Sequence, residues 1–202
     1  MHPLQLLPLF RQRQVWSLLH DSKDHTGLRK EAVHPAEQQL YYYYASKDAI
    51  VDALIRRSYE KPLQTTKSLA TQTNISSFTR MAMLFQACQS SSAIFLRQKQ
   101  NASASAQDLA FLHQKYLNYV VSELKPALTK IISQRIACGE IHFDYPVALA
   151  EIVLIVLAVK FDNSLIPSSM EETADTIKGL ISLLEKGTGV PTGALEYLSV
   201  LN

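Results

Sequence analysis

The chain reads as an all-α protein, and three observations carry that expectation. Apolar residues recur at helical spacing through most of its 202 residues, glycine is used only six times, and capping residues stand before several apolar runs. Few glycines suit helices joined by short loops rather than sheets with many tight turns. At 47% hydrophobic and 19% charged residues, the chain can bury a core across one or two domains.

The N-terminal stretch Met1 to Phe10 is apolar, but it has no Lys or Arg before its hydrophobic residues and no clear small-residue cleavage site. A leader peptide is therefore not expected, and the stretch leads into a first helix from about Pro8 to His20. Asp21 to Thr26 is a polar connector, followed by short helices at Gly27 to Val33 and Ala36 to Tyr43. Ser46 is a favoured N-cap residue, and Asp48 sits in the first turn beyond it, where the positive end of the helix dipole favours a carboxylate. Ile50, Val51, Leu54, Ile55 and Tyr59 then form a helical stripe that Pro62 is expected to end. Residues 1–60 make a first domain whose linking helix is 46–60; residues 61–202 make the second.

In the second domain, Leu69, Ile75, Phe78, Met81, Ala82 and Phe85 point to a long helix running toward Ser90, with a short one around Ala93 to Gln98. Asn101 to Ala106 reads as a loop. A capping box at Ser105 to Asp108 opens the stripe Leu109, Leu112, Tyr116, Val120, Leu124; Pro126 kinks or splits that helix and Gly139 closes it. Asp144 or Tyr145 caps the next helix, which has Pro146 in its first turn. Its segment Ile152 to Leu157 is apolar on every side and needs partners on more than one face. Ser169 to Glu172 is a capping box ahead of Ile177, Leu180, Ile181 and Leu184, with Gly187 as the stop and a last short helix at about Gly193 to Val200. The longest apolar segment, Val147 to Val159, is too short to span a bilayer, so no membrane partner is expected.

Lys47 is the residue that does not fit a plain helix start. A cation there is mildly unfavourable, by roughly 0.3–1 kcal/mol, unless an external anion is shared with the free N–H groups. Beside tyrosine hydroxyls, a nucleic-acid phosphate is a natural anion; plain packing of the tyrosines and a solvated lysine is the competing account.

The stretch Leu40, Tyr41 to Tyr44, Ser46, Lys47, Asp48, Ile50, Val51 resembles the junction between recognition helix and following helix in the tetracycline-repressor-like (TetR) family of bacterial regulators. Downstream, Ile131, Ile132, Ile136, Gly139-Glu140, Phe143 and Tyr145-Pro146 resemble that family's Gly-Glu-x-x-Phe stop and its Pro-started helix. The resemblance implies a helix-turn-helix head on a larger helical domain for ligand binding and dimerisation. It implies a homodimer joined through the last two large helices, and a repressor of double-stranded operator DNA controlled by a small-molecule effector. Among the matching positions, Gln38 and Gln39 would reach bases, Tyr41, Tyr42, Tyr43 and Lys47 would hold the backbone, and His34 and Ala36 would start the reading helix. Tyr41 or Tyr44 is expected in the core. Phe78, Met81, Phe85, Phe111 and Tyr116 lie where the family encloses its ligand, although aromatics and methionines at helical spacing are more often plain core.

The head departs from the family pattern. His34 and Pro35 stand where a turn glycine and a valine are usual, and Arg29, Lys30 and Glu31 fill neighbouring positions where an Ile-Ala pair is expected. Eight Lys and Arg against seven Asp and Glu in residues 1–60 leave a local balance of +1, a weak electrostatic footprint for DNA. A helical dimer of the same fold that has lost specific operator binding, and acts through a ligand or protein partner, is therefore the second reading. No paired catalytic carboxylates, His-Glu-x-x-His, Gly-x-Ser-x-Gly or phosphate-cradling glycine loop points to an enzyme. Cys88 and Cys138 lack metal-ligand spacing; reduced thiols, a cytoplasmic location and neither metal nor cofactor are expected.

Overall fold

The structure, a computed structural model, describes residues 42–69, 71–72, 74–100, 106–162 and 166–201. All regular elements among them are helical: α1 (Lys47–Leu69), α2 (Ser77–Gln100), α3 (Ala106–Ala137), α4 (Pro146–Asp162), α5 (Met170–Thr188) and a 3₁₀ helix, η1 (Glu196–Leu201). The chain divides into two compact units, Met1–Glu60 with Phe95–Tyr116, and Lys61–Ile94 with Leu117–Asn202.

Within the first unit, Ile50, Val51, Ile55 and Tyr59 of α1 and Leu112, His113 and Tyr116 of α3 are buried, following the i, i+4 spacing of one helix face. Tyr59 and Tyr116 meet with ring centroids 5.0 Å apart, and His113 stands edge-on to Tyr116.

The second unit holds the larger core. Met81, Leu84 and Phe85 of α2, Val120, Leu124, Leu128, Ile131 and Ile132 of α3, Ala150, Val153, Leu154 and Leu157 of α4, and Ile177, Leu180 and Ile181 of α5 are buried there. Burying each such aliphatic or aromatic side chain contributes about 1.5–3 kcal/mol relative to exposure, so this face-to-face stacking dominates the fold. The C-terminal segment closes the unit. Val190, Leu195 and Leu198 are buried, His142 N–H donates to the Thr188 carbonyl at 2.8 Å, and the buried Glu185 carboxylate accepts Gly193 N–H at 2.8 Å and Leu195 N–H at 3.2 Å.

Several boundaries differ from the sequence expectation. Pro62 does not end α1, which continues to Leu69. Proline withdraws one hydrogen bond to the preceding turn, but Leu63, Thr66 and Leu69 beyond it are buried and hold the helix together. The helix expected to stop near Ser90 and the short one after it are one element, α2, opened by Ser76 Oγ accepting Thr79 N–H at 3.1 Å. Pro126 neither splits nor stops α3, whose flanking Leu124, Ala127 and Leu128 are buried. Gly139, at φ 72°, does end it. Helix α5 runs through Gly187, and its stop is Gly189 at φ 71°, a left-handed conformation that glycine adopts at no β-carbon cost. The last helix is 3₁₀ and begins at Glu196 rather than Gly193. The Ser169 capping box is complete: Ser169 Oγ accepts Glu172 N–H and the Glu172 carboxylate accepts Ser169 N–H. The box at Ser105 and the helices expected before Tyr41 lie outside the described residues.

Candidate functional site

The junction Tyr42 to Ile50 is built as its residue types dictate. Tyr42 and Tyr43 are helical, Tyr44 to Ser46 form the turn, and α1 opens at Lys47. Ser46 is the cap: its Oγ accepts Ala49 N–H at 3.1 Å and its carbonyl accepts Ile50 N–H at 3.2 Å. The N–H groups of Lys47 and Asp48 precede the first intrahelical bond and point from the positive pole of a 23-residue helix.

The carboxylate beside that pole turns elsewhere. Lys115 Nζ donates to Asp48 Oδ2 at 2.7 Å and lies 3.0 Å from Asp52 Oδ1, one turn further along α1. The same ammonium sits 5.6 Å from the centroid of the Phe111 ring, within cation–π range. The bond from Asp48 raises the Lys115 pKa above its ordinary value, outweighing the partial desolvation that lowers it. Sequence reasoning missed this node because its partners are more than sixty positions apart; the only local signal is the i, i+4 spacing of Asp48 and Asp52.

The tyrosines divide in role. Tyr42 is 82% exposed and Tyr43 39%, with rings edge to face at 5.0 Å. Tyr44 is half-buried, and burial raises its hydroxyl pKa, countered in part by the charge of Arg57. His34, Ala36, Gln38, Gln39 and Tyr41 lie outside the described residues, as do the side chains of Lys47 and Phe78.

The residues matched to a ligand pocket are divided between the two units. Met81 and Phe85, with Leu128, Ile132 and Val153, surround a cavity of about 20 Å³ in the second unit, room for about one water. Phe111, 38% exposed, and the fully buried Tyr116 belong to the first unit. A larger groove, of about 480 Å³, runs between α3 and α4 in the second unit. Leu117, Val121, Ile155 and Val159 form its walls, and Lys125 and Glu151 meet across it at 3.3 Å. Its residues repeat at i, i+4 on each helix, a pattern visible in the sequence but indistinguishable there from core.

Buried polar groups in the second unit serve the fold. Arg135, 2% exposed, pairs with Glu140 at 3.1 Å, and burial lowers its pKa against the pull of that carboxylate. Arg80, also buried, donates to Gln134 Oε1 at 2.7 Å and Ser77 Oγ at 3.0 Å, tying the first turn of α2 to the end of α3. Burial likewise pushes the Tyr197 hydroxyl far above its ordinary value.

The Cys138 thiol is exposed. Among the described residues no group of three or more His, Cys, Asp or Glu is placed to hold a metal ion, and no helix is long and apolar enough to cross a membrane. The chain matches no protein-family model and no curated protein.

Proposed function

We propose that this protein is a TetR-like, dimeric DNA-binding transcriptional regulator of repressor type, switched by a small-molecule effector. The observation that carries the proposal is the start of α1. Ser46 satisfies the third N–H of the helix, and the first two, of Lys47 and Asp48, have no intrahelical acceptor at the positive pole. Asp48, the carboxylate nearest that pole, is bonded to Lys115. A helix terminus so arranged accepts a backbone phosphate, and the exposed Tyr42 and Tyr43 supply further hydroxyl donors. Such contacts set register, while the glutamines of the preceding helix read bases.

The effector acts through the larger unit. A core cavity of about 20 Å³ has to widen to admit any ligand, so the closed and liganded arrangements are alternatives, as a population switch requires.

One observation favours the second reading, a helical dimer that no longer recognises an operator and acts through a ligand or protein partner. Asp48 and Asp52 are about half-exposed within one turn of the pole and weaken the field that would attract DNA.

Binding to a duplex taken from upstream of the protein's own coding sequence, across a salt series and beside a scrambled duplex, separates the two. The regulator prefers its operator, loses affinity as salt rises, and with Lys47→Ala weakens on both duplexes alike. Equal, weak binding to every duplex would leave the second reading in its place.

A further inference from the structure

We propose that the C-terminal segment 190–201 is a releasable lid over an apolar ligand site in the second unit, latched by the Glu185 carboxylate. The lid deepens the effector reading of the proposed function, on which it rests, by giving the ligand's way in and its chemical class.

The cavity of about 20 Å³ has walls of two kinds. Met81 and Phe85 of α2 and Leu128 of α3 lie on helices of 24 and 32 residues, whereas Val190, Leu195 and Leu198 lie on a turn and a six-residue 3₁₀ helix. Bonds of that segment, such as Leu198 N–H to the Leu195 carbonyl at 3.0 Å, close shorter loops with poorer geometry than an α-helix. This wall therefore opens at a lower free energy than the helical ones. Gly189 and Gly193, at φ 71° and 86°, stand at its bends, where backbone rotation meets no β-carbon.

A single charge pins the lid. Glu185 is buried on α5, and its Oε1 accepts Gly193 N–H at 2.8 Å and Leu195 N–H at 3.2 Å. An apolar side chain at that joint would favour the closed arrangement alone. A carboxylate is satisfied in both, by the two N–H groups when the lid is down and by water when it is lifted, as a reversible joint requires.

The lining decides the ligand. Among the described residues around the cavity all are apolar except Thr188, and its hydroxyl donates to the Leu184 carbonyl at 2.6 Å. A charged or strongly polar molecule would lose its hydration there without gaining a partner. The site takes a small uncharged molecule, aliphatic or aromatic, that replaces Val190, Leu195 and Leu198 against the helical walls.

N-phenylnaphthylamine, an uncharged fluorophore that brightens in apolar surroundings, is the probe for the full chain. Saturable binding is expected, with the anionic anilinonaphthalene sulfonate at least about tenfold weaker. Amide exchange at residues 193–198 should quicken in the wild type when the uncharged dye is bound, because the dye displaces the lid. Glu185→Gln keeps the side chain's shape and removes its charge, so it should tighten dye binding about tenfold by raising the open fraction. No saturable binding by either protein, or equal affinity for the sulfonate, overturns the site. Exchange at 193–198 that slows on dye binding, or a dye affinity that Glu185→Gln leaves unchanged, overturns the lid. Should Glu185→Gln lose its cooperative urea transition, the wild-type exchange result decides alone. A chain that binds the dye as expected yet shows no operator preference loses the regulator reading and keeps the lid.

Discussion

Replacing Lys115 by Met removes one ammonium and keeps much of the aliphatic stem, so it isolates what the charge does at the start of α1. In the native protein that ammonium serves Asp48 at 2.7 Å and Asp52 at 3.0 Å and lies over the Phe111 ring. Lysine here is 23% exposed but its carboxylate partners are 54% and 48% exposed, so solvent screens both contacts. Each pair contributes at the upper end of an exposed ion pair, about 0.5–1 kcal/mol, and the ring roughly 0.5 kcal/mol, for a total of about 1.5–2.5 kcal/mol. In a protein of this length that is a fall in Tm of about 3–10 °C.

The pH dependence identifies the source. The folded-state pKa of Lys115 is raised above the ordinary 10.5, so its stabilisation is fully present below that value and is lost as pH rises through the folded pKa. Urea titrations of wild type and Lys115→Met should therefore differ by a constant amount from neutral pH to about pH 10 and converge above it. High salt should shrink the difference. The same variant leaves Asp48 and Asp52 uncompensated beside the helix pole, so duplex affinity should fall several-fold at low salt, and adding Asp48→Asn and Asp52→Asn should restore it. Equal stability of the two proteins at neutral pH, or a difference that persists unchanged once Lys115 has lost its proton, would refute the reasoning.

Other perturbations follow from single contacts. Ser169→Ala removes the α5 cap and should cost about 1 kcal/mol by urea denaturation. Its partner Glu172 has a pKa lowered chiefly by the Ser169 N–H, so any stability difference between wild type and Glu172→Gln should be present at neutral pH and vanish as pH falls through the folded carboxylate value. Gly189→Ala, at φ 71° with His142 Nδ1 3.4 Å from the new β-carbon, should lose about 1–2 kcal/mol through left-handed strain, measured by the same titration. Glu185→Ala leaves two N–H groups of the 193–195 turn without their charged acceptor. Hydrogen exchange there should accelerate, and stability should fall by about 2–4 kcal/mol.

What the sequence made legible was local. Ser46, Ser169 and Gly139 work where their types say they should, because a cap depends on atoms within four residues. Pro62 and Pro126 misled for the converse reason: proline's local penalty of about 3 kcal/mol is outweighed when residues on either side are buried by other helices, and that burial is a long-range fact. Gly187 was the expected stop, but the helix ends at Gly189, beside the Thr188 carbonyl that accepts His142 N–H. The Arg135–Glu140 pair, the Arg80 contacts and the Lys115 node had no sequence signal, since each joins an ordinary charged residue to partners chosen by the fold. The apolar circumference of α4 was legible as a need for partners on two faces; which face each partner covers was not.

Ser46 and Lys115 bear differently on the functional proposal. The cap creates an outward pole in any protein that starts a helix this way, and so fixes only that an anion is welcome there. The charge balance around the pole decides whether a strand of phosphates is attracted from a distance, and among the described side chains Asp48 and Asp52 there are paired with Lys115. A head with so little net field depends on short-range donors, Tyr42, Tyr43 and the glutamines before them, more than on bulk electrostatics. It should bind, if its operator is presented, with a shallow salt dependence reflecting few phosphate contacts, and a steep slope would contradict this charge distribution even while supporting DNA binding as such.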